Sequence, residues 1–294
     1  MLCTLCPRGC GANRTELSGA GICQMPALPV VARAALHPWE EPPISGSRGS
    51  GTVFFSGCSL RCVFCQNQQI SHDNFGRRIS IERLREICLS LVEQGAHNIN
   101  FVNPTHFSHV VAELLERPLG VPVVYNTGGY DKVETLRTLE GKVDVYLPDL
   151  KYLDAGYARR WSGAADYPKT ACAAIQEMVR QTGPCVLGED GLLKRGVIIR
   201  HLLLPGRLEE AKAVMDWVAE RFAPGEVLFS LMSQYTPWGK ARDDPALSRR
   251  LRPSEARHAR EYMENLGLEG FVQEDSAAQA EFIPAFDLTG VQER

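Results

Sequence analysis

The chain predicts an α/β fold: a parallel sheet curled into a partial (β/α)6 barrel, laterally open, with a small cysteine-rich metal-binding segment in front. Three observations predict it. From residue 52 onward, short runs rich in β-branched and aromatic residues alternate with stretches of helical periodicity, and helices between successive strands imply a parallel sheet with right-handed crossovers. The runs number six, two short of a closed eightfold barrel, and each gives way to polar residues at its C-terminal end. Seven of the ten cysteines fall in two tight clusters within the first 65 residues.

With 294 residues and 44% apolar content, the chain is long enough to bury one barrel-sized core over residues 51–294, behind a leader and extended connector over residues 1–50. A net charge of −3 with no Lys/Arg block argues against strong non-specific nucleic-acid binding. The opening Met1-Leu-Cys-Thr-Leu-Cys-Pro-Arg8 has no basic region followed by an apolar core, and no run of eighteen apolar residues occurs. The reading is a soluble, cytoplasmic protein with neither membrane nor nucleic-acid partner. Clustered cysteines agree, because in a reducing cytosol such clusters more often hold metal than disulfides.

The leader carries Cys3, Cys6, Cys10 and Cys23 among Gly and Pro residues. Four thiolates so spaced can close a zinc site, a single-iron site or a second iron-sulfur cluster. Because so short and loop-rich a segment needs a structural staple, the reading leans to zinc. The alternative is an unmetallated tail. Residues 25–50 are rich in Pro and Gly and read as an extended connector, with Ser45-Gly-Ser-Arg-Gly-Ser-Gly51 at the boundary.

The first strand, Thr52–Ser56, leads through Gly57 into Cys58-Ser-Leu-Arg-Cys62-Val-Phe-Cys65. At this cysteine content one such fixed triple arises by accident in roughly one chain in a hundred. No fourth Cys or His is near enough in sequence to be an obvious ligand. Iron-sulfur clusters assemble on Cys thiolates, and a cubane held by three of them leaves one iron open to a substrate. Three structural cysteines, or half a zinc site, are the plainer alternatives.

The periodic segment Ser80–Gln94 places Leu84, Ile87, Cys88 and Leu91 on one helix face, so Cys88 reads as core. Strand Asn98–Val102 follows, ending in Asn103-Pro-Thr-His106 before a helix to about Leu115. Val121–Tyr125 ends in Asn126-Thr-Gly-Gly-Tyr130 before a short helix over Val133–Leu139. Val143–Leu147 ends in Pro148-Asp-Leu-Lys151, and Gly196–Leu204 in Pro205-Gly206 before a helix over Leu208–Phe222. Val227–Met232 ends in Ser233-Gln-Tyr235, and a last helix over Ser254–Leu266 leads to a short strand over Gly270–Val272. Side chains alternate along a strand, so Asp149 and Lys151 share a face and point together into the barrel mouth, while Arg200 and His201 face opposite sides. A buried Arg200 needs a carboxylate partner. Tyr157, Trp161, Trp238 and the Asp243-Asp244 turn are candidates to border the substrate opening, with aromatic core packing the plainer reading for most of them.

The triad, with the aromatic Phe64 before its last cysteine, resembles that of the radical S-adenosylmethionine (SAM) enzymes, whose fold is a laterally open partial TIM-type barrel. The order of the leader, Pro104-Thr-His106, Asn126-Thr-Gly-Gly129, Pro148-Asp-Leu-Lys151 and Arg200-His-x3-Pro205-Gly206 is similar to the pyruvate formate-lyase activating enzyme-like branch over nearly all of the chain. The likeness is nearest to members with a cysteine leader and without the ferredoxin-like insert of many true activases. It implies that Cys58, Cys62 and Cys65 are catalytic ligands of a [4Fe-4S] cluster. It further implies that SAM is bound among Phe64, Asn103, Thr105, Asn126, Thr127, Gly128, Asp149, Lys151, Arg200 and Gln234. Asn103-Pro-Thr stands where the family usually has Gly-Gly-Glu, so the contact to the SAM amino group falls to Asn103, Thr105 or a backbone carbonyl. The implied reaction is reductive cleavage of SAM to methionine and a 5′-deoxyadenosyl radical for hydrogen abstraction, with flavodoxin or ferredoxin as electron donor and a protein or peptide glycine as target. The competing classes are a metal-stapled binding module and an iron-sulfur electron carrier without SAM chemistry.

Overall fold

The computed structural model describes residues 2–273 and 284–292. In chain order its elements are β1 (Val30–His37), α1 (Pro42–Ser45), β2 (Ser50–Phe55), α2 (Gln68–Ser71), β3 (Arg77–Arg78), α3 (Ile81–Glu93), β4 (Ile99–Val102), α4 (Ser108–Leu114), β5 (Val123–Thr127) and α5 (Val133–Arg137). Then come β6 (Val145–Pro148), α6 (Ala155–Ser162), α7 (Tyr167–Thr182), β7 (Val186–Leu187), β8 (Leu193–Leu202), α8 (Leu208–Arg221), β9 (Leu228–Met232), α9 (Pro253–Asn265) and β10 (Gly270–Gln273). The strands form one sheet in the order β10-β9-β8-β6-β5-β4-β2-β1-β3, with β7 paired to β8. From β2 to β10 the neighbours along this path are parallel, and the two ends of the path do not meet among the described residues. The six expected barrel strands are β2, β4, β5, β6, β8 and β9, and the sheet is a partial, laterally open barrel.

Two features depart from the sequence reading. The expected connector over 25–50 contains β1, which pairs antiparallel with β2 over residues 31–37 and is a member of the sheet. Its alanines and flanking prolines mask the strand signal in the sequence. Its outer edge is in turn occupied, since Leu288 N donates to Ala32 O and Ala34 N donates to Thr289 O, so unpaired backbone groups are covered. The other departure is the helix pair between β6 and β7. In α7, Tyr167, Ala171, Ala174, Ile175, Met178 and Val179 are buried at helical spacing. Small alanines on that stripe weaken a pattern that larger residues would have made plain.

Helix ends follow local chemistry. The Ser80 side chain caps α3 by accepting from Arg83 N, and Asp154 caps α6 by accepting from Tyr157 N. Gly163 ends α6 in the left-handed conformation.

Strand alternation sorts the barrel into two faces. Phe55, Phe101, Tyr125, Tyr146, Ile199 and Phe229 face the helix layer and pack in the main core. On the inner face, Val124, Val145, Leu147, Leu193, Ile198 and Leu228 pack around Ile44 of α1, which plugs the end of the barrel where the strands begin. Two residues further along the same face, Val124 is succeeded by Asn126, Leu147 by Asp149, Ile198 by Arg200 and Leu228 by Ser230. An apolar floor thus carries a polar layer above it, at the end of the barrel where the strands stop.

Candidate active site

The loop after β2 leaves the strand through Gly57, at φ +80°, where a Cβ would lie 2.4 Å from Met25 Cγ and 2.9 Å from the Cys23 carbonyl oxygen. The turn therefore needs glycine, and it seats the loop against the leader. Backbone bonds hold the loop: Val63 N donates to Trp161 O at 2.9 Å, Gly57 N to Ile70 O at 2.8 Å and Ala241 N to Val63 O at 3.2 Å. Cys62 is buried while Cys58 and Cys65 are half-buried. Each of the latter two sulfurs accepts a hydrogen bond, Cys58 from Leu60 N at 3.4 Å and Cys65 from the Ser71 hydroxyl at 3.3 Å. The Ser162 hydroxyl lies 3.0 Å from the Cys62 sulfur. Burial pushes the Cys62 thiol up to about 12, with Lys151 acting in the opposite direction and Cys58 and Cys65 adding to the rise.

A charged group also acts on the triad, Lys151. Burial alone would discharge it, but Asp149 and Cys62 raise its pKa, so it stays an ammonium and has no lone pair for a metal. Lys151 Nζ donates to Asp149 Oδ2 at 2.5 Å, and Arg200 Nε donates to Asp149 Oδ1 at 2.9 Å. Burial would raise the Asp149 pKa, yet the two cations more than offset it and hold the carboxyl below its ordinary value. Arg200 also donates from Nη2 to Asn126 Oδ1 at 2.7 Å, and its Nη1 lies 3.5 Å from Glu40 Oε2 and 3.9 Å from Glu41 Oε2. The expected carboxylate partner of Arg200 is therefore Asp149, with two further carboxylates from the β1–β2 connection. Burial raises both Glu40 and Glu41, with Arg200 pulling the other way.

The expected SAM contacts divide into two groups. Asn126, Asp149, Lys151 and Arg200 converge at the mouth. Gly128 lies under the cysteine loop, where a Cβ would sit 3.2 Å from Leu60 Cδ1. Asn103, at φ +58°, donates from Nδ2 to Gly57 O at 2.5 Å and so braces the loop. Gln234 donates to the Gln273 side-chain oxygen, and its own buried Oε1 accepts no bond. Thr105 and Thr127 are not part of this convergence. Their hydroxyls lie 3.1 Å apart, and Thr127 donates to Asp131 Oδ2 at 2.5 Å, a carboxylate that also accepts from Tyr125 OH on the helix side of the sheet. Phe64 is likewise enclosed, its ring edge-on to Tyr152 and Tyr235. His201 is structural: Nδ1 donates to Leu150 O at 2.7 Å, and burial pulls its pKa down to about 4. Trp161 is 1% exposed and donates from Nε1 to Asp244 Oδ2, which fits the expected aromatic packing.

Comparison with known proteins decides the family. The profile described as "Radical SAM superfamily" matches residues 52–218, more than half of the chain. The chain belongs to the radical SAM superfamily. The "Uncharacterized protein MJ0674" of Methanocaldococcus jannaschii is 30% identical over 278 residues, covering 91% of this chain and 75% of the relative. Among solved structures, Streptococcus suis SuiB aligns with TM-score 0.53 at 14% identity, covering 79% of this chain and 50% of SuiB. SuiB bound to S-adenosylmethionine aligns with TM-score 0.51 at 15% identity, covering 76% of this chain and 47% of that one. The chain thus spans about half the length of these two structures, and the likeness is one of fold.

Several groups around the cysteine triad escaped the sequence reading. Ser71 and Ser162 meet the sulfurs, Glu40 and Glu41 meet Arg200, and the Tyr167 hydroxyl joins Lys151 N, Gly128 O and Asp149 O within 2.9 Å. Only the Glu40-Glu41 pair left a trace in the sequence, as two acids set between Pro38 and Pro42.

Proposed function

We propose that the protein is a radical SAM enzyme of the pyruvate formate-lyase activating enzyme-like branch. The observation that carries this reading is the three-cysteine loop at the end of β2, faced by a charged lysine that cannot ligate and by the Asp149–Arg200 pair. Cys58, Cys62 and Cys65 would hold a [4Fe-4S] cluster; with SAM bound there, the pair supplies one-electron cleavage of the sulfonium S–C5′ bond to methionine and a 5′-deoxyadenosyl radical.

The chain's own residues prepare the site. Hydroxyls of Ser71 and Ser162 offer hydrogen bonds to sulfur, which orients the ligands and tunes their electron density. Lys151 presents a positive charge suited to a carboxylate and Asp149 a negative charge suited to an ammonium, the two groups of a free amino acid. Deeper in the barrel, the buried Glu41 faces Arg200 and Ser230, and Glu40 faces Asn100, a polar layer suited to a hydrogen donor such as a peptide backbone segment. A protein or peptide glycine as target and a flavodoxin or ferredoxin as electron donor belong to this proposal. So does a second metal, zinc or iron-sulfur, at the four leader cysteines.

The test is anaerobic reconstitution with iron and sulfide, followed by dithionite and SAM. Formation of 5′-deoxyadenosine is expected. A loaded triad that forms none rejects the proposal.

A further inference from the structure

Cys3, Cys6, Cys10 and Cys23 line one cavity together with Arg8, Arg14, Ser59 and His106. Cys3, Cys6 and Cys23 are buried and Cys10 is exposed, so the cavity stands between solvent and the central loop. The leader is firmly docked there. Arg8, between two of the cysteines, donates to Ser59 O at 2.7 Å and Ser162 O at 2.8 Å, and Arg61 of the central loop donates to Ile22 O at 3.2 Å. Ser59 itself lines the cavity, and the Cys23 carbonyl sits against Gly57, next to Cys58. The two cysteine sets are thus neighbours through single residues. His106, 1% exposed on the cavity wall, keeps Nδ1 without a hydrogen-bond partner.

Position distinguishes the metals. Zinc has no redox chemistry and would use the cavity only as a staple. An iron-sulfur cluster closed by four cysteines takes up and releases single electrons, which suits a cavity set between solvent and the central loop and joined to that loop through Ser59 and Gly57. We infer that the leader holds a second [4Fe-4S] cluster, closed by four cysteines, that relays one electron from a reduced flavodoxin- or ferredoxin-class protein to the cluster on Cys58, Cys62 and Cys65. The relay rests on the function proposed above. The carrier loses one electron, the leader cluster is reduced by one and reoxidised, and the central cluster gains it; no bond forms or breaks.

The experiment uses the full chain, reconstituted without oxygen. About eight irons are expected, falling to about four in both Cys3→Ala/Cys6→Ala/Cys23→Ala and Cys58→Ala/Cys62→Ala/Cys65→Ala. The second triple variant separates this inference from the proposed function, because its leader cluster forms whether or not SAM is cleaved. Fully reduced protein should give a spin-coupled resonance that each triple variant reduces to a simple one. The single Cys10→Ala, at an exposed position, should give a three-iron signal when oxidised. With reduced flavodoxin as donor, central-cluster reduction should slow at least tenfold in the leader variant, while reduction by dithionite is unchanged. Zinc in the leader, four irons in the intact chain, or an unchanged rate with flavodoxin overturns the inference.

Discussion

The Ser162 hydroxyl lies 3.0 Å from the Cys62 sulfur, bringing the end of α6 against a loop a hundred residues earlier. A donor to a thiolate stabilises negative charge on it, so it favours the reduced form of a bound cluster. Ser162→Ala should bind iron normally and lower the reduction potential of the central cluster by tens of millivolts, on the scale of 59 mV per tenfold change for one electron. An electron-paramagnetic-resonance redox titration reads it, and an unchanged midpoint would remove Ser162 from any tuning role.

Asp149 bridges two largely enclosed cations, Lys151 and Arg200, whose side chains are 18% and 14% exposed. Asp149→Asn keeps the shape and removes the shared charge, leaving both cations short of a partner. Stability should fall by about 3–5 kcal/mol, the usual consequence of breaking a buried pair, and SAM binding should weaken by about tenfold or more. Denaturant melts and calorimetric SAM titration check the two effects separately.

Burial raises the pKa of Glu41, with Arg200 pulling the other way. A carboxyl raised in this way favours the folded state when protonated, so its contribution is lost as pH climbs from the ordinary 4.5 through the raised value. Glu41→Gln is neutral throughout. It should match the parent at about pH 4 and exceed it at alkaline pH. Parallel stability curves for the two proteins would contradict this.

His201 has the opposite sign. Burial lowers its pKa from 6.5 to about 4, so between those values the unfolded chain binds the extra proton and stability falls as pH falls, by about 1.4 kcal/mol per pH unit. His201→Asn retains a donor for Leu150 O without titrating. Urea midpoints measured from pH 7 down to pH 4 should decline less steeply in the variant.

Gly129 sits at φ +77°, where a Cβ would lie 2.1 Å from Asp149 O. Gly129→Ala must displace the end of β6 and with it Asp149 and Lys151. Loss of soluble expression, or a drop of several kcal/mol in stability, is expected.

Legibility tracked the range of the interaction. The six barrel strands and the helices α3, α8 and α9 rest on local periodicity, which a reader of the sequence sees directly. Strand β1 and helices α6 and α7 were missed because Ala contributes little apolar signal, although packing buries it as fully as larger residues. Asp149, Lys151 and Arg200 could be placed because alternation assigns each a face. The same rule, applied to Asn126 and Thr127, would have sent one into the barrel and the other toward Asp131, where the structure has them.

The sequence by itself determined the three-cysteine loop, its place at the end of a strand, and the parity of every inward-facing residue, since all three depend on neighbours a few positions apart. Tertiary structure alone decided what meets at that loop: serines from α2 and α6, a lysine from the end of β6, glutamates carried in by the connection after β1, and the leader cysteines laid against Gly57 and Ser59. Those meetings depend on how the sheet curls and on which groups can be buried together without leaving a charge alone, and no local pattern encodes that balance.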